Sequence, residues 1–309
     1  MRRFPLTRYA WLSVGAAVAT IGLKVVAAWV TGSVGLFSDA VESAVNLVGA
    51  LMALAMLTVA SRPADEDHTY GHHKAEYFSS GLEGGLILLA GLGIAVAAVQ
   101  RLLAPRPLEA VGEGLVLAAV ASGVNLVTAW VLLRAGRRHH SITLEANAHH
   151  LLTDVWTSAA VIVGVGLVSW TGLGWLDPVV ALAVGGNILR TGYGIVRRSV
   201  MGLMDAALVE SEVGAVRSVL ERYRAEEGID YHALRTRQAG ARKFVSVHVL
   251  VPGHWTVNQG HALLERLEAD IRRVLPESTV FTHLESLDDP RSWEDQELDR
   301  PHPRPTDGH

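Results

Sequence analysis

Long apolar stretches, arriving one after another, constrain this chain more than any other feature. They cover about 9–30, 35–60, 77–103, 113–134, 144–169 and 176–198. Each can carry a helix across the hydrocarbon core of a bilayer, which takes about 20 mostly apolar residues. Half of the 309 residues are hydrophobic and the mean hydropathy is +0.26, too apolar for one or two soluble domains of this length. The opening Met1-Arg2-Arg3-Phe4-Pro5 runs into a stretch too long for a signal peptide, with no small-residue cleavage site, and reads as a retained first helix. Beyond residue 199 the charge density is that of an ordinary soluble domain.

Arginine and lysine placement sets the orientation. Arg2, Arg3 and Arg8, then Arg62 and Lys74, then Arg134, Arg137 and Arg138, then Arg197 and Arg198 fall on one side, while the opposite loops offer little beyond Arg101 and Arg106. By the positive-inside rule both termini are cytosolic, and the chain is a multi-pass protein of the cell (inner) membrane. The third and fourth stretches read as clean spans. The second carries Asp39, Glu42 and Asn46, the fifth opens with Asn147, His149, His150 and Asp154, and the sixth holds Asp177, Asn187 and Arg190. Ionisable groups at such depth cost at least a few kcal/mol each, so they are expected to face the bundle interior. Ser80, Gly81, Gly84 and Gly85 follow a small-xxx-small pattern that allows close approach of a neighbouring helix.

The remainder alternates helix and strand. Asp205 is a candidate cap for a helix over about 207–226, with Val213, Val216, Leu220 and Tyr223 on one face. Strands are expected over 230–238, 243–251 and 278–286. Thr256 and Gln259 form a capping box before a helix whose stripe is Leu264, Leu267, Ile271 and Val274. The fold class is therefore an all-α six-helix transmembrane domain, residues 1–204, followed by a cytosolic α+β domain of order αββαβ, residues 205–287. The proline- and charge-rich tail, 288–309, is expected to be disordered.

Several chemistries are excluded. Zero cysteines leave only nitrogen and oxygen donors for any metal, which argues against copper(I). A net charge of −4 without a basic stripe gives no sign of a nucleic-acid partner. GxxxxGK[ST], HExxH and GxSxG are all missing, so no nucleotide partner, ATP-driven pump or common hydrolase is encoded, and the chain does not read as an enzyme. The positive signal is a pair of i, i+4 doublets, Glu42 with Asn46 and His150 with Asp154, both near mid-bilayer. Residues four apart share a helix face, and one imidazole with three oxygens can make a tetrahedral site for Zn²⁺ or a similar ion. In the soluble part, strand periodicity puts His283 and Glu285 on one face, with His248 mid-strand and His261 on the buried side of its helix.

Glu42-Ser-Ala-Val-Asn46, the loop from Arg62 through Asp65, His68, His72 and Lys74 to Glu76, His150-Leu-Leu-Thr-Asp154, and the run from His232 to Gly240 together resemble the cation diffusion facilitator family, closest to its bacterial zinc and iron exporters, over about 9–287. The resemblance implies a homodimeric six-span metal/proton antiporter in the membrane lipids, with a metallochaperone-like cytosolic domain. Zn²⁺ or another divalent transition-metal ion (Fe²⁺, Cd²⁺, Co²⁺, Mn²⁺) would be both substrate and regulatory ligand, exchanged for protons. By position it implies a transport site of Glu42, Asn46, His150 and Asp154, a cytosol-facing site of Asp65, His68 and His72, and a binuclear site of His232, His248, His261, His283 and Glu285. Asp67 and His73 are possible substitutes in the second site, and Lys74 with Asp205 matches a charged pair linking protomers at the hinge. Two departures matter. Glu42 stands where His or Asp is usual, and Asn46 stands where Asp is usual, which drops a charge; Asp39 is a spare carboxylate nearby. The alternative reading, prompted by Asn46, is a metal-sensing or scaffold membrane protein of the same fold without flux.

Overall fold

The structure, a computed structural model, describes residues 6–31, 34–104 and 114–294; some side chains within helices, including those of Asp39, Glu42, Asn46 and Asp177, lie outside the described residues. The chain divides into two compact units, Met1–Leu203 and Met204–His309. The first is a six-helix bundle: α1 Thr7–Thr31, α2 Val34–Ala60, α3 Ala75–Leu103, α4 Gly114–His139, α5 Ile142–Thr171 and α6 Leu176–Leu203. Among the described residues, Thr7–Val26, Ala75–Leu103, Ala119–His139 and Pro178–Leu203 are long and apolar enough to cross a membrane. Large apolar side chains point outward, as in a bundle solvated by lipid, with Trp29 and Trp170 almost fully exposed near the outer helix ends, where amphipathic rings favour the headgroup region.

Helix packing uses small residues. α3 lies closely along α6; a Cβ on Gly84 would come within 2.9 Å of Val196 Cγ2 and 3.0 Å of the Val196 backbone nitrogen, and one on Gly192 within 3.0 Å of the Leu88 nitrogen. Ser80 and Ser199 join their hydroxyls across the same seam. Of the expected small-residue set, Gly85 takes no part, since nothing lies within 4 Å of its Cβ position. A second contact layer joins Ala10, Leu57, Leu132, Leu144 and Leu151 of α1, α2, α4 and α5. Because α6 turns its small-residue face to α3, Asn187 and Arg190 are exposed on this protomer, contrary to the expectation that they face the interior.

The second unit runs α7 Glu210–Glu227, β1 Asp230–Ala239, β2 Arg242–Val251, α8 Val257–Val274, β3 Ser278–Ser286 and a 3₁₀ turn Pro290–Trp293. The sheet order is β1-β2-β3, with β1 antiparallel and β3 parallel to β2, so α8 is the crossover a parallel pair requires. Val245, Val247, Val249 and Val251 alternate onto the helix-covered face and pack with Val216, Leu220, Leu263, Leu267 and Ile271. The capping box at Thr256 and Gln259 is present. Two local expectations fail. α7 begins at Glu210 behind Val209 with no side-chain cap; Asp205 adopts φ 56° and pairs instead with Arg237 at 3.2 Å. The buried stripe of α8 is Gly260, Leu263, Leu267 and Ile271, which leaves His261 exposed rather than on the buried side. At about 100° per residue, His261 lies some 200° from Leu263, turned away from the sheet. Of the tail expected to be disordered, 288–294 are ordered around the 3₁₀ turn Pro290–Trp293, and 295–309 lie outside the described residues.

Candidate metal sites

The loop between α2 and α3 folds over its own acid. Asp65 Oδ1 accepts the His68 backbone N–H at 2.7 Å and lies 3.2 Å from His68 Nδ1, and Asp65 Oδ2 lies 3.3 Å from His72 Nε2. The His68 backbone N–H outweighs an opposing effect of burial and, with weaker help from the His68 and His72 rings, holds the Asp65 carboxyl below its ordinary value. Gly71 at φ 84° allows the turn that returns His72 beside His68, their rings 4.3 Å apart. Ligand atoms on a tetrahedral Zn²⁺ are separated by about 3.3 Å, given bonds of about 2.0–2.1 Å. The Asp65–His68–His72 spacings match that edge, and one donor atom from each lies within 4.8 Å of the others.

Strand register builds the second site. His232 of β1 is opposite His248 of β2, and His248 is opposite His283 of β3, so a row of imidazoles crosses the sheet on the face away from the helices. Glu285, two residues beyond His283, shares that face. Its carboxylate reaches all three: Oε2 lies 2.8 Å from His232 Nε2, and Oε1 lies 3.2 Å from His248 Nδ1 and 3.4 Å from His283 Nε2. A bulge between His232 and Arg235, with Ala233 at φ 50°, re-aims β1 beside the row. Trp293 from the 3₁₀ turn meets His232 edge-on at 6.0 Å. Exposed His261 lies outside the cluster of His232, His248 and Glu285.

In the bundle, the side chains of Glu42 and Asn46 lie outside the described residues, so only the α5 half of the midplane doublets is visible. His150 is buried, and its Nδ1 lies 3.0 Å from Glu83 Oε2. Asp154 Oδ2 accepts from Asn125 Nδ2 at 3.3 Å. Glu83 Oε1 accepts from Asn147 Nδ2 at 2.8 Å, and Asn147 Oδ1 accepts from Ser13 Oγ at 2.5 Å. Glu83 of α3 and Asn125 of α4 stand in the two stretches read as clean spans, which corrects that reading: both are buried, Glu83 completely. The sequence held a signal, an isolated Glu within a long apolar run, but its partners are distant in the chain. Lys24, a charge within the first apolar stretch, donates from its ammonium to Ser43 Oγ of α2 at 2.7 Å. Lys74 donates to the Leu203 carbonyl at 3.4 Å.

A model of the cation efflux transmembrane domain matches residues 10–204, and a model of the cation efflux protein cytoplasmic domain matches 208–287. The chain is 52% identical over 286 residues to an uncharacterized transporter, sll1263, of Synechocystis, covering 93% of this chain and 92% of that protein. It is 32% identical over 282 residues to the cation-efflux pump FieF of Klebsiella pneumoniae, covering 90% of this chain and 92% of the pump. A FieF of Salmonella arizonae is 30% identical with the same coverage.

Proposed function

Because this chain belongs to the cation diffusion facilitator family and is an inner-membrane transporter of divalent transition-metal cations, we propose that its bundle exports Zn²⁺ or a related ion in exchange for protons. Glu42, Asn46, His150 and Asp154 hold the ion at the midplane. The chain works as a homodimer with a cytosolic C-terminal domain and is not an enzyme. The observation that carries the reading is buried His150 with Asp154 one turn on, His150 Nδ1 lying 3.0 Å from Glu83 Oε2 of α3 and Asp154 accepting from Asn125 of α4. Metal needs a neutral imidazole and ionised carboxylates, so binding must expel protons, and competition for one site couples the two fluxes in opposite directions. Alternation of inward-open and outward-open arrangements around a fixed midplane site completes the exchange.

Asp65, His68 and His72 form a cytosol-facing site, and His232, His248, His283 and Glu285 form a binuclear regulatory site that biases the dimer's conformation. Support for both comes from ligand spacings near the tetrahedral edge. Proteoliposomes carrying the purified protein test the coupling: Zn²⁺ flux should accelerate with an imposed pH gradient, and Zn²⁺ binding in detergent should release protons. Flux indifferent to the gradient, without proton release, would leave a passive facilitator. No flux of any divalent metal would leave a sensor or scaffold.

A further inference from the structure

Glu83 is a completely buried carboxylate inside a long apolar helix, outside the four runs that carry the family resemblance. Burying a charge there is costly unless it is paired, and such a group marks function by default. Its surroundings are specific. Oε1 is held by Asn147 of α5, which is in turn held by Ser13 of α1. Oε2 takes no aligned hydrogen bond from any described residue and lies 3.0 Å from His150 Nδ1. Glu83 is eight residues past Ala75 and His150 eight past Ile142, so both lie about 12 Å along their helices from neighbouring cytosolic ends. α2 makes room for this carboxylate: a Cβ on Gly49 would come within 2.7 Å of Glu83 Oε1 and 3.0 Å of its Cδ. Gly49 stands three residues after Asn46, the position where a carboxylate is missing.

We propose that Glu83 is a positioning residue of the midplane site, orienting the His150 ring through Nδ1, and supplying from α3 the negative charge that Asn46 withholds on α2. The inference rests on the assignment of His150 to the transport site. Carboxylates behind metal-bound imidazoles fix the tautomer and ring orientation and strengthen the nitrogen as a donor, and their loss weakens metal binding by about 10- to 100-fold. Here the same group also raises the negative charge facing a divalent cation, a contribution that a purely structural carboxylate would not transfer to α2.

The test uses full-length protein in proteoliposomes, with Zn²⁺ flux giving KM and maximal rate, and thermal unfolding reporting the fold. Glu83→Gln keeps an acceptor for Asn147 and removes the charge; it should raise KM for Zn²⁺ by about 10- to 100-fold with an unaltered dimer. Adding Asn46→Asp to Glu83→Gln should recover at least about tenfold of that loss, because the charge returns from the neighbouring helix. Gly49→Ala provides a second route if Glu83→Gln does not fold. It retains the carboxylate but forces it out of the position that Asn147 holds, and should likewise raise KM. A KM within about twofold of wild type for Glu83→Gln, or for Gly49→Ala, or no recovery in the double variant, overturns the inference. His150→Ala separates the two failures: if it transports normally, the site assignment itself is wrong, whereas its inactivity beside a normal Glu83→Gln removes Glu83 alone.

Discussion

Glu285→Ala tests the sheet-borne site most directly, because a single carboxylate touches every imidazole of the row, at 2.8, 3.2 and 3.4 Å. Metal binds only the folded sheet, since His232, His248 and His283 are brought together by register. At free Zn²⁺ about one hundred times the dissociation constant, binding stabilises the domain by about 2.7 kcal/mol. For a domain of about 100 residues, 1 kcal/mol moves the midpoint by about 4–8 °C, so Zn²⁺ should raise it by about 11–22 °C. Removing the only anionic ligand should weaken binding by about a hundredfold. At the same Zn²⁺ concentration, one site then contributes about 0.4 kcal/mol, or about 2–3 °C. The assay is thermal unfolding of residues 204–309 with and without Zn²⁺, with calorimetry for stoichiometry. A full Zn²⁺-dependent shift in Glu285→Ala would refute the reasoning, because the imidazoles alone would then account for binding.

The bundle offers two further tests. His150→Ala and Asp154→Ala should each abolish metal flux while leaving a folded dimer, measured in proteoliposomes and by size-exclusion chromatography; normal flux in either would remove that residue from the site. Gly84→Ala should destabilise the α3–α6 seam by about 1–3 kcal/mol, because the new methyl would meet Val196 backbone and side chain at 3.0 and 2.9 Å. Gly85→Ala, with nothing within 4 Å, should be tolerated, and equal detergent melting points for the two would contradict the packing. In the soluble domain, the Arg222 hydrogen bond, then those from Tyr223 and Arg273, hold the Asp270 carboxyl below its ordinary value. A depressed carboxyl contributes stability that is present above its unfolded value of about 3.9 and is lost as pH falls through its folded value. Asp270→Asn should therefore be less stable than wild type at neutral pH, with the gap closing only below about pH 4; urea titrations showing one gap at both pH values would reject this.

Local rules sufficed for much of this molecule. Hydropathy located all six bundle helices, their ends to within five residues, because every backbone group in a bilayer must be satisfied inside its own helix. Period-two alternation found β2, and the Thr256–Gln259 box found the start of α8. The grouping of Asp65, His68 and His72 came from the family resemblance and not from a local rule; the loop does bring the three together. Tertiary structure decided the rest. Which face of α8 is buried depends on where the sheet lies, and packing into the core shared with the sheet and α7 chose Leu263 over Leu264 and left His261 outside. The alignment of His232, His248 and His283 is a matter of strand register, set by pairing across residues 16 and 35 apart, respectively, in the chain. Glu83 is an isolated acid in an apolar run by sequence; only the meeting of α1, α2, α3 and α5 gives it Asn147, the space beside Gly49 and the imidazole of His150. A side chain's chemistry is written locally, but its partners are fixed by packing, so the kind of donor was legible and the assembly of donors was not.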